Sequence, residues 1–176
     1  MKTEYLLEKQ VELVLSALTP VNRLVIRVAI HTGLRVGDVL ALKTAELKPQ
    51  MWVTEEKTGK RKKIGLPAPL LDDLRLYAGG KWVFPNAVDP ERHRTRQAVW
   101  KDVKRAAKLF RLPQNVAPHS FRKVYAADLM QRYGDIEKVR RALNHDSEAV
   151  TLIYAMAEQQ LRAKAQRKRR NHGRLV

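Results

Sequence analysis

Apolar residues recur at helical spacing along most of this chain. Across residues 4–18, Leu7, Val11, Val14, Leu15 and Leu18 fall three and four apart, which predicts an amphipathic helix. Thr19-Pro20 breaks that run, and residues 21–31 predict a second helix, apolar except for a narrow side with Arg23 and Arg27. Gly33 is placed to end it, and a short helix follows from Val36 to Leu42. The stretch "MWVTEEKTGKRKKIGLP" (51–67) changes character: two extended runs flank Thr58-Gly59, the signature of a β-hairpin. Helical patterns resume at 68–78, 95–110, 118–133, 135–143 and 147–165. Between the first two of these, residues 79–94 hold Gly, Pro and Asp, which predicts a surface loop around a buried Trp82-Val83-Phe84. There is no internal repeat.

A chain of 176 residues, 44% hydrophobic, suffices for one well-packed domain and is short for two. It has no stretch of 18 apolar residues and no charged-then-apolar leader, so the expectation is a soluble protein of the cytoplasm. The absence of cysteine excludes disulfides and thiolate metal sites, and five scattered histidines offer no zinc-binding spacing. Charge changes the picture most. With 35 Lys and Arg against 18 Asp and Glu, the net charge is +17, which points to a polyanionic partner, nucleic acid first.

Four stretches could carry chemistry. In "HTGLRVGDVL", Arg35 and Asp38 are three apart at the start of a helix and share a face; alone, a local surface ion pair is the commoner reading. In "APHSFRKVY", Pro118 suits a first helical turn, which sets His119 and Arg122 on one face near a helix N-terminus suited to phosphate; a merely solvated His and Arg is an equal alternative. Lys57 precedes the hairpin turn and is followed by Lys60, Arg61, Lys62 and Lys63, a run that is either a solvated strand face or a phosphate-binding patch.

The fourth is "LNHDSEAVTLIYA" (143–155), where Tyr154 stands nine residues after His145. On one unbroken helix that interval puts the side chains on opposite faces, roughly 13 Å apart along the axis. Asn144 can take the left-handed conformation that ends a helix, and Asp146 or Ser147 can cap the next. A corner there would turn both groups toward one point. Alone, Tyr154 is more commonly a core or surface aromatic, since a tyrosine hydroxyl ionises near pH ~10 and is a poor nucleophile unless developing charge is stabilised. Two arginines and a histidine around a phosphodiester would do so.

Taken together, "TGLRVGD", "KTG" in a hairpin, "HSFR" and "LNHDS" with a tyrosine nine residues past its histidine resemble the catalytic domain of tyrosine recombinases, the phage integrase family. The resemblance runs from about residue 4 to 160 and keeps the family's motif order. It implies an α+β fold, mostly helical with a small antiparallel sheet. It implies an enzyme that cuts and rejoins double-stranded DNA, with Tyr154 forming a 3′-phosphotyrosyl link and no metal or other cofactor. Arg35 and Arg122 would hold the non-bridging oxygens, and His119 and His145 would donate or relay hydrogen bonds. Lys57 would protonate the leaving 5′-oxygen, and Asp38 would brace the site through Arg35. Lys60, Arg61, Lys62 and Lys63 would contact DNA.

By the same resemblance the protein would act as a homotetramer on DNA and be a monomer when free. The alternatives are a type IB topoisomerase, which uses a similar residue set, and a DNA-binding module without cleavage. Two departures stand out. The family usually has glycine where this chain has Asn144, and its members usually carry an N-terminal helical core-binding domain. The expected organisation here is a catalytic domain over 1–165 and a basic tail over 166–176, without that N-terminal domain. The chain would then be either a fragment or a minimal recombinase.

Overall fold

The computed structural model describes residues 6–143. The predicted helix over 147–165, the basic tail, Asn144, His145 and Tyr154 lie outside them. The chain divides into two units, Met1–Tyr125 and Ala126–Val176.

In the first unit, α1 (Glu8–Ala17) starts later than the predicted residue 4. The Gln10 side chain reaches back to the Leu7 backbone N–H at 3.0 Å, which fixes Leu7 ahead of the first turn. The second helix, α2 (Pro20–Thr32), has proline in its first turn, where no N–H is missed. Thr19 precedes it, but its hydroxyl does not cap it; the cap comes from elsewhere in the chain. Asp102 Oδ2 accepts from the Thr19 N–H (2.9 Å), the Thr19 hydroxyl (2.9 Å) and Asn22 Nδ2 (2.8 Å). Its Oδ1 accepts from Arg105 at 3.0 and 2.6 Å. This carboxylate sits on α5 (Arg96–Leu109) and pins it to the start of α2.

Gly33 ends α2 in the left-handed conformation (φ 65°) and leads through buried Leu34 into α3 (Val36–Leu40). The hairpin follows as β1 (Gln50–Thr54) and β2 (Arg61–Gly65), paired antiparallel with Met51 opposite Ile64 and Val53 opposite Lys62. Glu55 and Lys60 close its turn, through the Glu55 N–H to the Lys60 carbonyl at 3.0 Å, so the turn is longer than Thr58-Gly59 alone. Gly59 takes the left-handed conformation there. The helix α4 (Ala68–Tyr77) comes next.

The loop over 79–94 buries Val83 and Phe84 completely, as predicted. Trp82 is only half-buried, because its indole N–H donates to the Glu91 carbonyl at 2.9 Å and its ring meets His93 edge-on. One core, including Val25, Ile26, Leu40, Leu74, Phe84, Val103 and Phe121, joins α2, α3, α4, α5 and α6 (Pro118–Tyr133). The second unit takes α6 from Ala126 onward, a left-handed Gly134, and α7 (Ile136–Leu143), which buries Val139 and Leu143. No helix among the described residues is long and apolar enough to cross a membrane.

Candidate active site

Strand geometry decides which groups reach the interior. Successive residues of β1 alternate faces, and the inward set Met51 and Val53 continues to Glu55, which is fully buried. On β2 the inward set is Lys62 and Ile64, while Arg61 and Lys63 point out. Arg61 lies over the exposed Trp52 ring, 5.1 Å from its centre.

Glu55 stands between two arginines. Its Oε2 accepts from Arg35 Nη1 at 2.9 Å and from the Thr58 hydroxyl at 2.9 Å. Its Oε1 faces Arg122 Nη1 at 3.9 Å. Arg122, only 2% exposed, also donates through Nη1 to the Gly33 carbonyl. The glycine is required at that point: a Cβ on Gly33 would fall 2.2 Å from the Tyr125 ring, in a backbone conformation that disfavours side chains. The turn after α2 therefore brings Arg35 into the site with its neighbouring carbonyl on Arg122.

Arg35, Asp38, Lys57, His119 and Arg122 line one cleft of about 470 Å³, with Glu56, Arg96 and Pro118 among the other residues of its wall. Lys57 is exposed at its edge, and His119 is half-buried one helical turn from Arg122. Glu55 is absent from the wall and lies behind the arginines. The Arg35 charge acts on Asp38, and a hydrogen bond also ties Asp38 to the hairpin. Its Oδ1 accepts from the Glu56 backbone N–H at 2.9 Å, so it anchors the turn that carries Lys57, while the carboxylate meeting Arg35 at 2.9 Å is Glu55. Burial raises the Asp38 carboxyl above its ordinary value, and the Glu56 N–H opposes that rise.

Lys62 corrects the reading of Lys60 to Lys63 as one DNA-facing row. Lys60, Arg61 and Lys63 are exposed, but Lys62 is 8% exposed. Its Nζ donates to the Thr32 carbonyl at 2.5 Å and lies 5.0 Å from the centre of the Tyr125 ring. Burial, and then the nearby Arg122 charge, lower its ammonium to about 8. The strand's alternation forces this: a residue two before buried Ile64 faces the same way.

Three features of the site escape the motifs: Glu55, the buried role of Lys62, and Arg96 at the start of α5. Period-two alternation through Met51, Val53 and Glu55 carries the signal for the first, and through Lys62 and Ile64 for the second. Nothing local marks Arg96, which reaches the cleft only because α5 packs where it does.

The fold is shared with recombinase catalytic domains. Lambda integrase, solved as a dimer bound to a core site, matches with a TM-score of 0.72 at 20% identity, over 86% of this chain and 48% of that one. Its tetramer on a Holliday junction matches at 0.69 over the same shares. The phage integrase family model matches residues 4–160, and the chain belongs to that family. Among curated relatives, the probable integrase/recombinase YoeC of Bacillus subtilis (strain 168) is 28% identical over 131 residues, 71% of each chain. Tyrosine recombinase XerC of Mesorhizobium japonicum is 28% identical over 142 residues, 76% of this chain but 46% of that one.

Proposed function

We propose that this chain carries the catalytic domain of a site-specific recombinase that cuts and rejoins double-stranded DNA through Tyr154. The observation that carries the reading is the convergence of Arg35, Lys57, His119 and Arg122 on one cleft, in a chain of the phage integrase family. The Tyr154 oxygen attacks phosphorus, the P–O5′ bond breaks, and a 3′-phosphotyrosyl ester and a free 5′-hydroxyl result. Lys57 supplies the proton to the leaving 5′-oxygen. Arg35 and Arg122 hold the non-bridging oxygens as negative charge develops, and His119 and His145 donate or relay hydrogen bonds to the same group. The ester conserves the energy of the broken bond, so a second strand's 5′-hydroxyl reverses the step without a nucleotide. Exposed Lys60, Arg61 and Lys63 contact the DNA backbone, and affinity falls steeply with salt.

On DNA the protein works as a homotetramer, a reading supported by the assembly of lambda integrase on a Holliday junction. The test is covalent trapping. Nicked duplexes drawn from DNA flanking the gene are mixed with the protein, quenched in detergent and run on a denaturing gel beside Tyr154→Phe. A DNA-linked band from the native chain alone is the expected result. A band from both chains would remove Tyr154 as nucleophile.

A further inference from the structure

We propose that Glu55 is a positioning residue that sets both guanidiniums and ties them to the turn bearing Lys57; the inference rests on the recombinase reading of the same cleft. A carboxylate with no exposed surface is unfavourable unless cations and donors surround it. Among the described residues, Glu55 meets that requirement with groups at the site. Arg35 Nη1 and the Thr58 hydroxyl share its Oε2 at 2.9 Å each, and Arg122 Nη1 faces its Oε1 at 3.9 Å. Arg35 and Arg122 line the cleft and Glu55 does not, so it backs the arginines and leaves the phosphate's place open.

Its backbone does a second job. The Glu55 N–H bonds the Lys60 carbonyl and its own carbonyl accepts from Gly59 N–H at 2.9 Å, which closes the turn around Lys57. Lys57 is covalently joined to Thr58, and Thr58 is hydrogen-bonded to the carboxylate that holds Arg35. The turn bearing the proton donor is thus tied to Arg35 through one side chain, which also faces Arg122. Displacement of catalytic groups by about 1 Å costs on the order of 100-fold in rate. Overall DNA affinity, by contrast, comes from many phosphate contacts and is insensitive to one buried carboxylate.

Glu55→Gln keeps the shape and removes the charge. In that variant the covalent product forms roughly 100-fold more slowly, while binding to a short random-sequence duplex stays within about threefold of native. Nitrogen NMR of the Arg35 and Arg122 guanidiniums, recorded without DNA, shows their signals broadened or averaged relative to native. Thr58→Val, a near-isosteric change at a half-buried position, slows product formation about 10-fold with an unchanged melting temperature. That variant decides the matter should Glu55→Gln not fold.

Native rates in both variants would overturn the proposal, as would a loss of binding in step with cleavage, which marks a purely structural residue. Unchanged guanidinium signals in Glu55→Gln would also overturn it. If the native chain traps no DNA, the recombinase reading fails on its own. The guanidinium signals, read in the free protein, still decide whether Glu55 positions the arginines.

Discussion

Asp102 and Glu55 are two buried carboxylates, each meeting arginine, and they are satisfied in different ways. Asp102 accepts five hydrogen bonds from Thr19, Asn22 and Arg105, spread over both oxygens. Burial alone would raise its carboxyl, but those bonds outweigh burial and hold it at about 2. Among the described residues, Glu55 has one oxygen shared by Arg35 and Thr58, while its Oε1 accepts no hydrogen bond and faces Arg122 at 3.9 Å. The first arrangement locks two helices together and leaves nothing for a ligand. The second restrains two cations that also face a cleft. Saturation marks a carboxylate that holds the fold, and incomplete saturation beside a cavity marks one that serves a site.

The contrast is tested most severely at Asp102. Asp102→Ala strands the donors of Thr19 and Asn22 and removes the cap of α2. It is expected to cost about 3 kcal/mol in urea unfolding while the folded fraction still cleaves. Glu55→Gln should show the reverse balance, its roughly 100-fold loss falling on cleavage. Equal stability losses in the two variants would erase the distinction.

Acid unfolding separates the two further. Asp102 is held at about 2 when folded against an ordinary 3.8, so its contribution is complete above pH 3.8 and lost as pH falls toward 2. That loss amounts to about 2 kcal/mol, and it should disappear from the acid unfolding curve of Asp102→Ala.

Lys62 supplies the smallest effect, with the opposite sign. Its folded value, about 8, lies below the ordinary 10.5, so the buried charge disfavours the folded state below pH 8. That cost is relieved as pH rises from 8 to 10.5. Lys62→Met should therefore be more stable than native at pH 7, by about 1–2 kcal/mol after the lost bond to the Thr32 carbonyl is counted. The advantage should shrink toward zero above pH 10 in paired urea titrations. A constant difference across that range would mean that burial does not lower the Lys62 ammonium.

The helices are legible in the sequence because their apolar positions repeat at a period that neighbouring residues fix. The seven α-helices among the described residues fall within a few residues of the predicted spans, and Gly33 ends α2 in the conformation that only its missing side chain makes easy. The hairpin is legible too, but not which of its charges face in. "KRKK" looks like one solvated face, whereas a strand must turn every second side chain toward the core, and that sends Lys62 beneath the site.

Composition and motif order suffice to mark a basic, mostly helical member of the phage integrase family, with Arg35, Lys57, His119 and Arg122 as the residues to examine. It took the packed chain to show that Glu55 stands behind both arginines, that Asp38 anchors the turn through the Glu56 N–H, and that Asp102 caps a helix 80 residues away in sequence. The reason is physical. Local periodicity is written in neighbouring residues, but the partner of a buried charge is chosen by which segments the core brings together.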